Sequence, residues 1–280
     1  MTALTLAPEH PTTSGGRTRW ALADGLTIAR RNLTHIRNMP EKLMDVTVQP
    51  IIFTVLFTYI FGGAIQVPGS SYKEFLAAGI FVQTLTFTAA GTSVAVADDM
   101  EKGVIDRFRV LPIARSAVLM GQTLADLAAS VLGLTILAIT ATLVGWRFHE
   151  GVPSALAGFG IILLFGYAMN WVGTYVGLKV RAPDVAQQVM FLVMFPLTFV
   201  ANTFVPTASM PDWLQTIADW NPISSVVAAA RELFGNGAGQ IPSQAWPMQH
   251  PIEAALLWTF GILAVVIPLS VRRYRVATTH

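Results

Sequence analysis

Chemistry needs reactive side chains at fixed spacings, and this chain has few of them. It contains no cysteine, so it has no thiolate nucleophile, thiolate metal site or disulfide framework. The five histidines, at 10, 35, 149, 250 and 280, form no pair one helical turn apart for a zinc ion. The four lysines follow Glu41, Tyr72, Glu101 and Leu178, so the Gly-Lys step of a phosphate-binding loop is absent. No catalytic residue, metal ligand or bound cofactor is assigned. What remains is the run Asp98-Asp99-Met100-Glu101-Lys102-Gly103-Val104-Ile105-Asp106-Arg107-Phe108-Arg109-Val110-Leu111-Pro112. Acids lead, arginines follow and Pro112 closes it, the charge order that complements a helix dipole. Val104, Phe108 and Leu111 would share an apolar stripe, which stays bare unless a membrane or a partner protein covers it. The chemistry of this run is docking.

The elements that hold the run in place are read from gaps between charges. Only 12% of the 280 residues are charged and 53% are hydrophobic, with mean hydropathy +0.56. About 25% charged is usual for a soluble domain, so an ordinary cytosolic enzyme is excluded. The small net charge of +2 gives no footprint for nucleic acid. Charge-free stretches cover Val46–Tyr72, Phe75–Ala97, Gly151–Leu178, Val185–Pro211 and Ala254–Val271, and Ser116–Trp146 is broken only by Asp126. Each is long enough for the roughly 20 apolar residues of a membrane-spanning helix. The fold class expected is an all-α membrane protein with six transmembrane helices, at about 46–67, 75–97, 116–145, 154–178, 185–205 and 252–271.

Of 18 basic residues, 15 fall on the termini and the second and fourth loops, against Lys73, Arg147 and Arg231 opposite. Under the positive-inside rule both termini are cytoplasmic. Residues 1–19 are polar, without the apolar core of a cleaved signal peptide, and read as a disordered cytoplasmic tail. Over residues 20–39, Leu22, Leu26, Ala29, Leu33 and Ile36 share one face, as in an amphipathic helix lying in the membrane interface.

Asp126 is the only charge deep in a span. A carboxylate there costs on the order of 2.5–3.5 kcal/mol on insertion scales, so it must face protein or water. Two roles stay open, a hydrogen bond to a neighbouring helix or a proton relay. Gly173 and Gly177 form a small-xxx-small face suited to packing within one protomer. Pro50 and Pro196 can kink spans one and five. Residues 206–250 carry five prolines with Trp213, Trp220 and Trp246, a composition for short helices at the outer headgroup level.

Four blocks together resemble the daunorubicin/doxorubicin-resistance permeases, which are membrane subunits of type-2 ABC exporters. They are Pro40-Glu41-Lys42-Leu43-Met44-Asp45-Val46-Thr47, Phe57-Thr58-Tyr59-Ile60-Phe61-Gly62-Gly63-Ala64, the run from Glu101 to Ile113, and Phe204 to Leu214 with Asn221-Pro222 and Arg231. The resemblance implies that residues 20–39 are an elbow helix and that 40–280 form the type-2 ABC transmembrane domain. It implies that 98–112 is a coupling helix seated on a separate ABC ATPase subunit, one of two copies. Glu101, Asp106, Arg107 and Arg109 would orient that contact, Gly103 and Pro112 bound it, and Val104 and Phe108 supply apolar contact. ATP and Mg would sit on the ATPase. Pro211–Asp219 and Pro222–Phe234 would be short helices dipping into the outer leaflet. A second permease protomer, identical or a sister, would complete a path lined by spans two and five, with Phe81, Phe87, Met190, Met194, Phe195 and Phe199 as candidates. The implied function is export of hydrophobic or amphipathic drug-like compounds across the bacterial cytoplasmic membrane. The alternatives are a lipid or polysaccharide exporter of the same architecture and a proton-driven drug antiporter.

Overall fold

The computed structural model describes residues 40–61, 67, 71–103, 115–180, 182–237 and 243–277. The expected tail, the elbow helix and residues 104–112 of the coupling run lie outside them. Every regular element described is helical: α1 (Pro40–Phe61), α2 (Tyr72–Glu101), α3 (Arg115–Val144), α4 (Gly151–Gly177), α5 (Pro183–Phe199), a 3-10 turn (Thr207–Ser209), α6 (Asp212–Asp219), α7 (Pro222–Phe234), α8 (Trp246–Gln249) and α9 (Pro251–Ala277). By length and composition α2, Asp126–Val144 of α3, α4, and Pro251–Tyr274 of α9 can each cross a bilayer, and α1 holds a shorter apolar segment, Ile51–Ile60. The long helices alternate in direction. One end of the bundle therefore carries Lys102, Arg115 and Lys179, and the other carries Trp146 and the segments 200–237 and 243–250.

Local sequence sets the boundaries. Ser71 caps α2 by accepting the Glu74 N–H, and Glu74 adds a negative charge to the first turn. Asn221 caps α7 by accepting the Ile223 N–H at 2.9 Å, while Pro222 takes the first helical position, where no N–H is needed. Gly235 ends α7 with φ of 71°, and the Asn236 N–H reaches back to the Arg231 carbonyl at 2.8 Å. That left-handed cap suits glycine.

Helix α2 is the hub, packed on α4 above all and also on α5, α3, α1 and α7. Its intimacy with α4 comes from missing side chains. A Cβ at Gly173 would overlap the Ala89 carbonyl oxygen, and one at Gly177 would lie 2.6 Å from the Ser93 carbonyl oxygen. The small-xxx-small face thus packs within the chain. Helix α7 is an interior wedge against α4, α9 and α2, with Ile223, Val226, Val227, Ala230 and Phe234 buried.

The apolar stretch expected to span 185–205 divides in two. Helix α5 stops at Phe199, and residues 200–204 turn with Ala201, Asn202, Thr203 and Phe204 buried. Its 17 residues reach about 25 Å, less than the roughly 30 Å of hydrocarbon. Asn221 Nδ2 donates to the Leu197 carbonyl at 2.7 Å, and Ser224 Oγ accepts the Asn202 N–H at 3.1 Å, so side chains of α7 take over where the helical ladder ends.

Candidate functional site

At the basic end, α2 runs past its apolar stretch to Glu101 and stops at Gly103, whose φ of 62° requires the left-handed region. The Lys102 N–H bonds the Asp98 carbonyl at 2.9 Å, and its ammonium contacts the Asp98 carboxylate at 2.7 Å. That hydrogen bond, with the charge behind it, raises the Lys102 pKa. Of the residues expected to couple to an ATPase, Glu101 is exposed and Gly103 half-buried. Val104, Asp106, Arg107, Phe108, Arg109 and Pro112 lie outside the described residues. The root of the run is anchored. Val96 packs in a small cluster with Trp171 and Leu178 of the α4 end and Tyr274 of α9, with Met100 against it.

Further along, polar groups from three helices meet. Thr92 Oγ1 donates to Asp126 Oδ2 at 2.9 Å, and Thr88 Oγ1 donates to Asn170 Oδ1 at 3.0 Å. Asp126 is half-buried, and its carboxylate ties α3 to α2. No group of three His, Asp or Glu side chains that could hold a metal ion occurs among the described residues.

Burial divides the six candidate path residues. Phe81 lies in the core, edge-on to Trp146 at 5.3 Å and to Phe234 at 6.2 Å. Met190 and Met194 are buried as well, on a stripe with Ala186 and Thr198 that faces inward at a spacing of four. These three hold the monomer together and present nothing to a path on its surface. Phe195 and Phe199 are each 42% exposed, and Phe87 is half-buried at the edge of α2.

The exposed pair belongs to a longer row. Phe191 stacks on Phe195 at 5.4 Å, Phe195 on Phe199 at 4.3 Å, and Phe199 meets Phe204 at 5.2 Å. Phe204 stacks on Phe57 of α1 at 4.7 Å, Phe57 on Phe53 at 5.5 Å, and Phe87 closes on Phe191 at 6.2 Å. Seven rings thus run without a break from α2 along α5 to α1. Phe191, Phe204, Phe57 and Phe53 were missed by sequence reading, although 191, 195 and 199 are spaced by four and so share one helix face. Beside the row, Gln187, Gln188, Leu192 and Val193 of α5 are exposed, as are Ile52, Tyr59 and Ile60 of α1.

Long apolar helices joined by a few interhelical polar contacts define a multi-pass membrane protein of the all-α class. A family model described as ABC-2 type transporter matches residues 25–234. The chain belongs to that family, and so is a membrane permease of the ABC transporter class. It is 31% identical to a daunorubicin resistance ABC transporter permease of Streptomyces coeruleorubidus, over 97% of each chain. A probable doxorubicin resistance ABC transporter permease of Mycobacterium tuberculosis is 27% identical over 98% of this chain and 96% of its own. A putative transport permease of Porphyra purpurea is 24% identical over 75% of this chain and 73% of its own.

Proposed function

We propose that this chain is the transmembrane subunit of an ATP-driven exporter that moves hydrophobic or amphipathic, drug-like compounds out across a bacterial cytoplasmic membrane. Six membrane passes, α1 to α4, α9 and the short α5 completed by the buried turn at 200–204, would put both termini and the 98–112 run in the cytoplasm. Two ABC ATPase subunits hold ATP and Mg, and the run seats on one of them to bring in the energy. A second permease protomer, identical or a sister, faces α5 and α1.

The observation that carries this reading is the row of stacked rings on the open side of α5. A lipid-facing helix gains nothing from exposed amides such as Gln187 and Gln188, which hydrocarbon leaves unsatisfied. Against water or a second protomer those amides have partners, while the rings offer flat, polarisable surface to varied apolar cargo. The drug-resistance relatives point the same way. The Thr92 hydroxyl on Asp126 supports a structural bond for that carboxylate over a proton relay.

The test is reconstitution into proteoliposomes with the ABC ATPase subunit, using ethidium as a probe cargo. Dye movement should require ATP, and replacing Arg107 and Phe108 with alanine should abolish it while the membrane part keeps its melting temperature. Dye movement that follows an imposed proton gradient without ATP would overturn the reading.

A further inference from the structure

Arg231 is the largest fully buried side chain described, at 2% exposure, and no carboxylate among the described residues lies within ion-pair distance. A guanidinium stays charged in proteins, and burying it unpaired is costly. Here the charge is spread over backbone. Nε donates to the Phe75 carbonyl at 3.0 Å, and one terminal nitrogen donates to the carbonyls of Asn202 at 2.8 Å and Thr203 at 3.3 Å. The guanidinium carbon lies 3.4 Å from the centre of the Phe75 ring. The other terminal nitrogen has no hydrogen-bond partner among the described residues.

These contacts join three elements. Phe75 is in the first turn of α2, Asn202 and Thr203 form the turn after α5, and Arg231 is in the last turn of α7. The same junction is closed from the α2 side by Gly79, where a Cβ would overlap the Thr203 carbonyl oxygen, and by Tyr72, whose hydroxyl donates to the Phe204 carbonyl at 3.2 Å. Helix α2 is continuous from this junction to Glu101, at the start of the docking run. We infer that Arg231 is a positioning residue, a latch through which movement of the docking run, carried along α2, reaches α7 and the turn that ends the α5 ring row. The inference rests on the proposed ATP-driven function. Carbonyls are neutral acceptors, so each bond exchanges readily. A guanidinium stripped of all of them inside the protein is disfavoured, which leaves joined and rejoined arrangements rather than a continuum.

The absence of native cysteine permits a direct test. With Ala208→Cys as the single thiol, at an exposed position just beyond the turn, the complex with its ATPase is probed with a membrane-impermeant maleimide, with and without trapping by ATP and vanadate. Trapping should change the labelling rate about fivefold or more, the lower range of an allosteric coupling. Arg231→Met, which keeps bulk and removes the charge, should abolish that change while ATP hydrolysis persists, and Arg231→Lys should restore part of it. A merely structural arginine would instead leave the change intact, or lose hydrolysis and labelling change together, and either result overturns the latch. No change with Arg231 present, in a complex that still moves dye with ATP, would overturn the latch alone, and a complex that moves no dye with ATP would overturn the function beneath it. Should Arg231→Met fail to accumulate, Phe75→Leu removes only the ring beneath the guanidinium. A reduced trapping response would then support the latch, and an unreduced one would overturn it.

Discussion

The seam between α2 and α4 and the open side of α5 are both apolar, yet they are built in opposite ways. Along the seam side chains are withdrawn: Gly173 and Gly177 lie against the carbonyls of Ala89 and Ser93, and Gly166 against Leu85. Along α5 only the stripe through Ala186, Met190, Met194 and Thr198 is buried, and large side chains crowd the rest. Close backbone approach maximises dispersion contacts and fixes two helices as one body, whereas protruding rings need another surface to meet. The seam is the frame, and α5 is the face that works against something else.

The largest expected effect comes from breaking the frame. Gly173→Leu should prevent a folded, detergent-stable protein, because overpacking costs about 1–3 kcal/mol even in soluble cores and here meets backbone. Gly91→Leu, where an added Cβ meets nothing, should melt as the parent does. Equal melting temperatures for the two would erase the distinction.

The opposite pattern is expected on the working face. Replacing Phe191, Phe195 and Phe199 together with alanine should lower apparent affinity for ethidium about tenfold, near 1.4 kcal/mol of lost stacking, with little change in melting temperature. A large drop in melting temperature would make the row part of the frame.

A comparable effect is expected at the junction of α7 with the end of α5. Asn221→Ala removes the α7 cap and the bond to the Leu197 carbonyl, and should cost about 1–2 kcal/mol, read as a lower melting temperature. Smallest of all, Asp126→Asn still accepts from Thr92. Interhelical hydrogen bonds in membranes average about 0.6 kcal/mol, so stability and export should both hold, with or without a proton gradient. Loss of export on that change would revive the proton-relay role.

The frame was largely legible from charge alone. Hydrocarbon penalises ions, so gaps between them locate α2, α3, α4 and α9 within a few residues, and Asn221-Pro222 with Gly235 marks α7. The end of α5 was not legible, because the groups that finish it, Asn221, Ser224 and Arg231, arrive from 20 or more residues later. Nor was the facing of Phe81, Met190 and Phe191. Apolar residues occupy both the inward stripe and the outward row of α5, so the sequence alone does not say which of them turns outward, and packing on α2 decides it. In the sequence Arg231 is one of three cations opposite the basic side, and only the fold reveals that it is buried on carbonyls.

The distinction between frame and working face meets its most direct test in cysteine crosslinking. Leu192 on α5 and Leu156 on α4 are similarly exposed, at 76% and 65%, and the chain has no thiol of its own. In native membranes Leu192→Cys should form a disulfide-linked dimer on mild oxidation, because in the proposed arrangement a second protomer covers α5, while Leu156→Cys, which that arrangement turns to lipid, should stay monomeric. A dimer from Leu156→Cys and none from Leu192→Cys would contradict it.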